Sequence, residues 1–537
     1  MKISSTNETN FSNYDALVII GSKPVESANL FTSFASEFQA DIALHYELIA
    51  SASSETVVVI SKNAPGKRIV IAPTGPLNRD TDDVRRFGDA AVSALEKCKS
   101  AGIKKPLIVV QQPDFKGIYA ADFIASQYEN YLAVTLLGLL YAVYEPIQVR
   151  EHFAAIGKEM HFESLTLFGK NELSDKVLSW IHAPEVFIFN IDIGGGDPER
   201  MAPLKCAAYI QEAFKDVPNV KVTIIREHET LKKEFPLLHA VARCSLAIPD
   251  HYPVVVRLEY KSKVQENVKE NVFLVGKGVT YDTGGADIKS DGHMRGMSRD
   301  KCGAAVAAGF LKTIGLLSPT DINVTADLGF VRNSSGAGNY VSDEVIKSRA
   351  GVRCLIGNTD AEGRMVMADL VCLAKERALS EEYKRIPSRI MTIATLTGHA
   401  YFAVGEGYTL SLDNGPARLG KVTKRFTIAG EQFGDPWEES TLRREDFSFI
   451  APGSSSEDVC QANSKPSTET PRGHQFPAAF ISVASGIDKH GLDSKDPISY
   501  THIDIAASAE LSNSGLSLPT VTGQPLIALS ATYAPPK

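Results

Sequence analysis

Short runs rich in valine, isoleucine and leucine alternate along the chain with stretches whose apolar positions recur every three or four residues. Residues 16–20, 56–60, 69–72 and 107–110 are such runs and predict strands. Between them, residues 81–99 predict an amphipathic helix. Val84, Phe87, Ala91, Leu95 and Cys98 form its apolar stripe, and Asp82 and Asp83 are expected in its electropositive first turn. The run at 186–191 predicts another strand, ended by Gly194-Gly195-Gly196, with Asp197-Pro198 opening the next helix. Beyond it, strands are predicted at 220–225, 254–260, 272–277, 323–330, 354–356 and 390–396, and helices at 304–317 and 365–378. Strands separated by helices require crossover connections, hence a largely parallel sheet, and a domain boundary is expected near residue 190. Residues 405–475 are richer in Gly, Ser, Pro and charge, which predicts loops over an active-site face.

Composition narrows the function classes. With 44% hydrophobic and 22% charged residues in a chain of 537, large cores and a folded protein are expected. Lys and Arg number 56 against 64 Asp and Glu, a net charge of −8, so no basic surplus points to nucleic acid as a partner. The longest nearly apolar run, residues 131–144, is shorter than the roughly 18 to 20 residues that cross a bilayer, so no membrane association is expected. The first thirteen residues are polar and lack the apolar core of a secretory signal, which makes the cytoplasm the expected address. The seven cysteines include no CxxC pair, which argues against a disulfide framework or a thiolate zinc site.

Several motif readings fail. The triple glycine at 194–196 lacks the third glycine of a dinucleotide-binding turn, because Glu199 stands there. GxxxxGK[ST], HExxH and GxSxG are all absent, and the twelve histidines never pair at ligand spacing. Two segments do concentrate charge where strands meet loops: 275–305 (VGKGVTYDTGGADIKSDGHMRGMSRDKCGAA) and 358–369 (NTDAEGRMVMAD). Lys277 and Asp282 are expected at the carboxyl end of a strand, and Asp300 just ahead of a helix. Asp360 and Glu362 are expected between a strand and the next helix. The crevice beyond the carboxyl ends of parallel strands is the usual ligand site of an open α/β sheet, so both segments should converge there. Four carboxylates meeting in a pocket carry about −4, which low dielectric disfavours unless cations join them. Two divalent ions about 3.5 to 4 Å apart would balance that charge, and an oxygen-rich donor set suits zinc, manganese, magnesium or cobalt.

The heptapeptide NTDAEGR at 358–364, the strand motif VGKGVTYDTGG at 275–285 and the spacing on to Lys289 and Asp300 resemble the leucyl aminopeptidase family of two-metal cytosolic exopeptidases. The likeness is strong over 270–400 and thins to TLTG at 395–398 and HIDIA at 502–506. It implies an α/β protein of two domains. The first is a smaller N-terminal α/β domain (1–190, its first thirteen or so residues mobile). The second is a C-terminal catalytic domain (191–537) with a central mixed, mostly parallel sheet flanked by helices. It also implies that Lys277, Asp282, Asp300 and Glu362 hold one metal, and that Asp282, Asp360 and Glu362 hold a more exchangeable one. Lys289 would polarise the scissile carbonyl. Arg364 would bind a bicarbonate-like anion acting as general base on a metal-bridging water. Met297, Thr395, Leu396 and Gly398 would line the pocket for an apolar first side chain. Lysine ligates only as the neutral amine, and bringing its pKa from about 10.4 below 7 requires about 4.6 kcal/mol, which coordination must supply. The implied activity is hydrolysis of the N-terminal residue from peptides, and the implied assembly a homohexamer.

Two departures bear on activity. The family's Tyr-x-Pro-Gly-Asp loop reads Tyr340-Val341-Ser342-Asp343-Glu344 here, and the Met-Gly that follows the third carboxylate is Lys301-Cys302, a new cation beside Asp300. A catalytically weak relative serving as a peptide-binding or scaffolding oligomer, and a two-metal phosphoester hydrolase, are the competing readings.

Overall fold

The computed structural model describes all residues except 1, 9, 23–35, 50, 52–53, 170–176, 178–179, 181–182, 514 and 537. These fall into two compact units, Met1–Pro184 with Gly430–Gly434 and Pro536–Lys537, and Glu185–Ala429 with Asp435–Pro535. No single helix among the described residues is long and apolar enough to cross a membrane.

In the first unit, β1 (Lys2–Thr6), β2 (Ala16–Gly21), β3 (Val57–Ile60), β4 (Arg68–Pro73), β5 (Pro106–Val110) and β6 (Ser164–Phe168) form one sheet in the order β1-β6-β5-β2-β4-β3. Neighbours run parallel except β3, which is antiparallel to β4. The N-terminal segment expected to be mobile instead supplies β1, because Ile3 to Thr6 extend and complete the ladder beside β6. Helix α1 (Arg85–Ser100) buries Phe87, Ala91, Leu95 and Cys98, the stripe read from the sequence. It starts later than expected. Asp82 precedes it and is taken up by Arg79 at 2.9 Å and Arg86 at 2.5 Å. Helix α2 (Tyr131–Val143) crosses α1 closely: a Cβ at Gly138 would lie 2.5 Å from the Gly88 carbonyl.

Helix α3 (Ala183–Gly195), whose residues from Glu185 on belong to the second unit, stands where a strand was expected over 186–191. Val186, Phe189, Ile191 and Ile193 are all buried, as is Asn190, whose Nδ2 donates to the Gly523 carbonyl at 2.9 Å. A short apolar run enclosed on all sides carries no periodicity that separates strand from buried helix. Strands β7 (Val220–Ile225), β8 (Val254–Tyr260), β9 (Glu270–Asp282) and β10 (Ile322–Asn333) follow, and then β11 (Val345–Lys347), β12 (Arg353–Leu355), β13 (Ser388–Ala394) and β14 (Thr409–Asp413). After them come β15 (Trp437–Thr441), β16 (Val459–Cys460), β17 (Ser499–Asp504), β18 (Glu510–Leu511) and β19 (Thr520–Val521). Eight of these make the main sheet, ordered β15-β14-β17-β13-β9-β10-β8-β7. Its inner strands β17, β13, β9 and β10 are parallel, whereas β14 is antiparallel to β17 and β8 to both β10 and β7, so the sheet is mixed. The region 405–475, read as loops, holds β14, β15 and a helix, Val422–Phe433; buried polar residues such as Thr409, Ser411 and Asp413 in β14 contributed to its loop-like composition.

The central strand β9 is buried along nearly its whole length on both faces, as a parallel strand sandwiched by helices must be. Successive residues point to opposite faces. On the Gly276 side lies α4 (Cys302–Leu317), so close that a Cβ on Gly276 would meet the Ala304 Cα at 2.6 Å. On the Lys277 side lies α5 (Glu362–Ala378), where a Cβ on Gly363 would meet the Lys277 Nζ at 2.7 Å. The strand thus delivers Lys277 and Asp282 between two helix N-termini, one preceded by Asp300 and the other opened by Glu362.

Candidate metal centre

The two charged segments meet at the carboxyl end of β9 in a cavity of about 740 Å³ lined by Lys277, Asp282, Lys289, Asp300, Asp360, Glu362 and Arg364. Lys277 lies 2.8 Å from Asp300 Oδ1 and 2.8 Å from Glu362 Oε1, and also donates to the Thr395 carbonyl at 3.1 Å. Lys289 lies 3.0 Å from Asp282 Oδ2 and 2.5 Å from Asp360 Oδ1. One oxygen each of Asp282, Asp360 and Glu362 falls within 4.8 Å of the others. All five ligand residues implied by the resemblance therefore come together.

Local chemistry explains how each is held. Gly284 and Gly285 take left-handed backbone angles, φ +88° and +70°, which turn the chain back after Asp282, and Gly284 N donates to Asp282 Oδ1 at 2.9 Å. Asp300 Oδ1 also accepts the Thr395 hydroxyl at 2.9 Å. Asp360 sits in an Asx turn, its N–H donating to Asn358 Oδ1 at 2.8 Å. Arg364 is buried, donates to the Gln461 carbonyl at 2.9 Å and stacks over Phe476 at 4.9 Å, and burial lowers its pKa to about 10.

The donor set fits a pair of divalent ions. Asp300 Oδ2 and Glu362 Oε2 are buried without a hydrogen-bond partner. Burial, reinforced by Glu362 and Asp282, holds the Asp300 carboxyl well above its usual range against the pull of Lys277. Burial and the adjacent Asp282 push Asp360 to about 7. Burial alone would lower the two lysines, but the carboxylates facing them hold both ammonium groups above the ordinary lysine range. Four carboxylates against two ammonium groups leave the cluster negative, and its oxygen donors with one amine suit zinc, manganese, magnesium or cobalt.

Met297, Thr395, Leu396 and Gly398 line the same cavity, as do residues 462 and 464–469 of the segment after β16. The TLTG and HIDIA motifs meet through Asp504, which accepts Leu396 N at 3.2 Å and the Thr397 hydroxyl at 2.7 Å. Gly398 opens helix α6 (Gly398–Val404), and the Thr397 hydroxyl caps it by accepting Ala400 N at 3.2 Å. The new lysine turns away from the carboxylates, while the 340–344 loop stays beside them. Lys301 is fully buried and donates to the carbonyls of Gly196, at 2.9 Å, and Ser298. Tyr340 is fully buried with its hydroxyl on the Thr359 carbonyl at 2.8 Å, while Glu344 pairs with Arg243 at 2.6 Å.

Two supporting residues escaped the sequence. Asn333 stands opposite Asp282 in the β9–β10 register and donates to Asp282 Oδ1 at 2.8 Å and to the Thr359 carbonyl at 3.1 Å. Asp287 Oδ2 accepts Thr359 N at 2.7 Å and its hydroxyl at 3.0 Å, tying the two motifs together. A cross-strand register is not visible in one sequence. Asp287, lying between Asp282 and Lys289, was the one within reach of inspection.

The model of the cytosol aminopeptidase family, catalytic domain, matches residues 192–530. A Caenorhabditis elegans protein provisionally named as an aminopeptidase, W07G4.4, is 39% identical over 500 residues, covering 92% of this chain and 91% of its own. A probable cytosol aminopeptidase of Chlamydia felis is 26% identical over 502 residues, 92% of this chain and 91% of its own. Among solved structures, the apo leucyl aminopeptidase from Trypanosoma cruzi superposes with a TM-score of 0.78 at 19% identity, covering 100% of this chain and 97% of that one. The bottromycin maturation enzyme BotP in complex with Mn superposes at 0.74 and 18% identity, covering 97% of this chain and 99% of that one. With the family model spanning the whole carboxylate cluster and a relative aligned over nearly the full length, the chain belongs to the cytosol aminopeptidase family and is a metal-dependent aminopeptidase.

Proposed function

We propose that the chain removes the N-terminal residue from peptides in the leucyl aminopeptidase manner, using two divalent ions, zinc or manganese foremost. The observation that carries this reading is the convergence of Asp282, Asp360 and Glu362 within 4.8 Å, flanked by Lys277 and Lys289, in a cavity large enough for a peptide end. Lys277, Asp282, Asp300 and Glu362 would hold one ion, and Asp282, Asp360 and Glu362 the other. Bound there, such a pair would supply an acidified water, its pKa brought from about 15.7 toward 7, and Lewis-acid polarisation of the scissile carbonyl.

The chain's own groups supply the rest. Lys289 keeps an ammonium at the cluster and stabilises negative charge developing on the carbonyl oxygen. Arg364, desolvated against Phe476, offers a fixed cation to a bicarbonate-like anion that takes the proton of the attacking water. Met297 and Leu396, with the hydroxyl of Thr395 engaged by Asp300 and Gly398 lining the wall beside Thr468, favour an apolar first side chain. A cytoplasmic homohexamer acting on peptides completes the reading, supported by the resemblance of the motifs and by the names of the cytosol aminopeptidase relatives.

Aminoacyl amides, their N-acetylated counterparts and aryl phosphates, each offered to purified protein with zinc or manganese, test it. Release of the first residue from free-amine substrates alone is expected. Turnover of phosphates and not amides would replace it with phosphoester hydrolysis, and no turnover with two metals bound would favour a scaffold.

A further inference from the structure

The metal loop leaves the end of β12, and beside that end runs β16, paired with it in parallel through Cys354–Val459 and Leu355–Cys460. The next residue of each strand brings Gln461 level with Ile356, and Gln461 N donates to the Leu355 carbonyl at 2.8 Å, which sets Ala462 against Gly357. The approach is closer than a side chain on residue 357 would allow, since a Cβ there would lie 1.9 Å from the Ala462 carbonyl. Gln461 is fully buried and its amide is saturated. Oε1 accepts Gly357 N and Asn358 N, both at 3.1 Å, while Nε2 donates to the carbonyls of Asn358 at 2.8 Å and Ala361 at 2.9 Å. Those four groups bracket Asp360 and end directly before Glu362. Through its own carbonyl, Gln461 also receives Arg364 at 2.9 Å.

We propose that Gln461 is the positioning residue of the metal loop: one amide fixes the backbone on both sides of Asp360 and the start of α5, setting where Asp360 and Glu362 present their oxygens and where Arg364 points. It touches neither substrate nor metal. An amide that supplies two acceptor and two donor bonds to a five-residue loop does what no apolar residue of the same volume can, and the loop has no other side chain spanning both its ends among the described residues. The inference rests on the two-metal reading above.

The test is divalent-ion titration calorimetry with manganese or zinc on full-length wild type, Gln461→Met and Gln461→Asn. The Met variant keeps the volume and loses all four bonds. The Asn variant keeps an amide one methylene too short, and serves if the first does not fold. Folded variant is expected to bind manganese about 10- to 100-fold more weakly with unchanged stoichiometry. Activity should be lost at limiting metal and restored to within a few-fold at saturating metal. A merely structural role would lower the melting temperature or the active fraction and leave the affinity of the folded protein where it was, which overturns the proposal. Absence of metal uptake by the wild type would instead sink the two-metal reading, and this proposal with it.

Discussion

Asn333 reaches across from β10 to Asp282: its Nδ2 sits 2.8 Å from Asp282 Oδ1 and 3.1 Å from the Thr359 carbonyl, joining a carboxylate on the central strand to the loop that carries Asp360. A side-chain amide in that position leaves Asp282 Oδ2 to face the cluster. Asn333→Leu keeps the volume and removes both bonds, so Asp282 can rotate and the Thr359 carbonyl retains only Tyr340. Divalent-ion affinity is expected to fall about 10- to 100-fold, read by calorimetry, with the melting temperature of metal-free protein changed much less than the affinity. Equal affinity in the two proteins would refute the link.

The paired histidines beside α6 predict acid sensitivity. His399 Nδ1 and His474 Nδ1 lie 2.8 Å apart, and His474 Nε2 meets the Ser440 hydroxyl at 2.8 Å. Burial, with His399 and Arg472 adding, pushes His474 down to about 4 from an ordinary value near 6.5. Between those values the unfolded chain takes up a proton that the folded one refuses, so stability is fully present above pH 6.5 and is lost as pH falls toward 4. Its contribution is on the order of 3 kcal/mol. Urea midpoints of wild type and His474→Gln, compared at pH 7 and pH 4.5, should differ in slope, with the variant losing less on acidification. Parallel slopes would exclude His474 as a source.

Glycine at the helix and sheet junction makes a packing prediction. A Cβ on Gly303, in the first turn of α4, would lie 2.1 Å from the Ile393 carbonyl of β13. Both partners are backbone, so neither can step aside cheaply. Gly303→Ala is expected to cost about 1–3 kcal/mol. Because Asp300 lies just ahead of that turn, the shift should also lengthen its 2.8 Å approach to Lys277 and weaken metal binding. Wild-type denaturant midpoint and metal affinity in the variant would contradict the geometry.

How much of this was legible depends on the range of the interaction that decides each feature. The strands at 220–225 and 254–260 were readable to the residue, because a run of β-branched residues bounded by turns is a local signal. The charged segments were readable because Asp282, Asp360 and Glu362 sit where strands end and helices begin, which topology sends to one crevice, whereas Lys277, expected at a strand's end, stands midway along the longer β9. The strand expected over 186–191 failed for the opposite reason: Val186, Phe189 and Ile191 are buried within a helix, and burial overrode β propensity. Asn333 and Gln461 were invisible since their partners lie 51 and about 100 positions away, and an isolated Asn or Gln has no pattern to betray it.

Lys289 separates charge balance from catalysis. Its ammonium lies 3.0 Å from Asp282 and 2.5 Å from Asp360, where it offsets part of the negative charge that would otherwise attract a divalent ion. Removing it should therefore act in opposite directions on binding and on turnover. At an effective dielectric near 20, a unit charge about 5 Å from a divalent ion repels it by roughly 7 kcal/mol, so even after relaxation and solvent screening Lys289→Met should bind manganese more tightly, on the order of tenfold. The same variant lacks the cation that meets negative charge on the carbonyl oxygen, and its kcat should drop about 10²- to 10³-fold with KM little changed. Calorimetry and steady-state kinetics on one preparation measure both. Tighter metal with wild-type kcat would show that Lys289 only balances charge, and weaker metal would show that it orders Asp282 and Asp360 for the ion rather than competing with it.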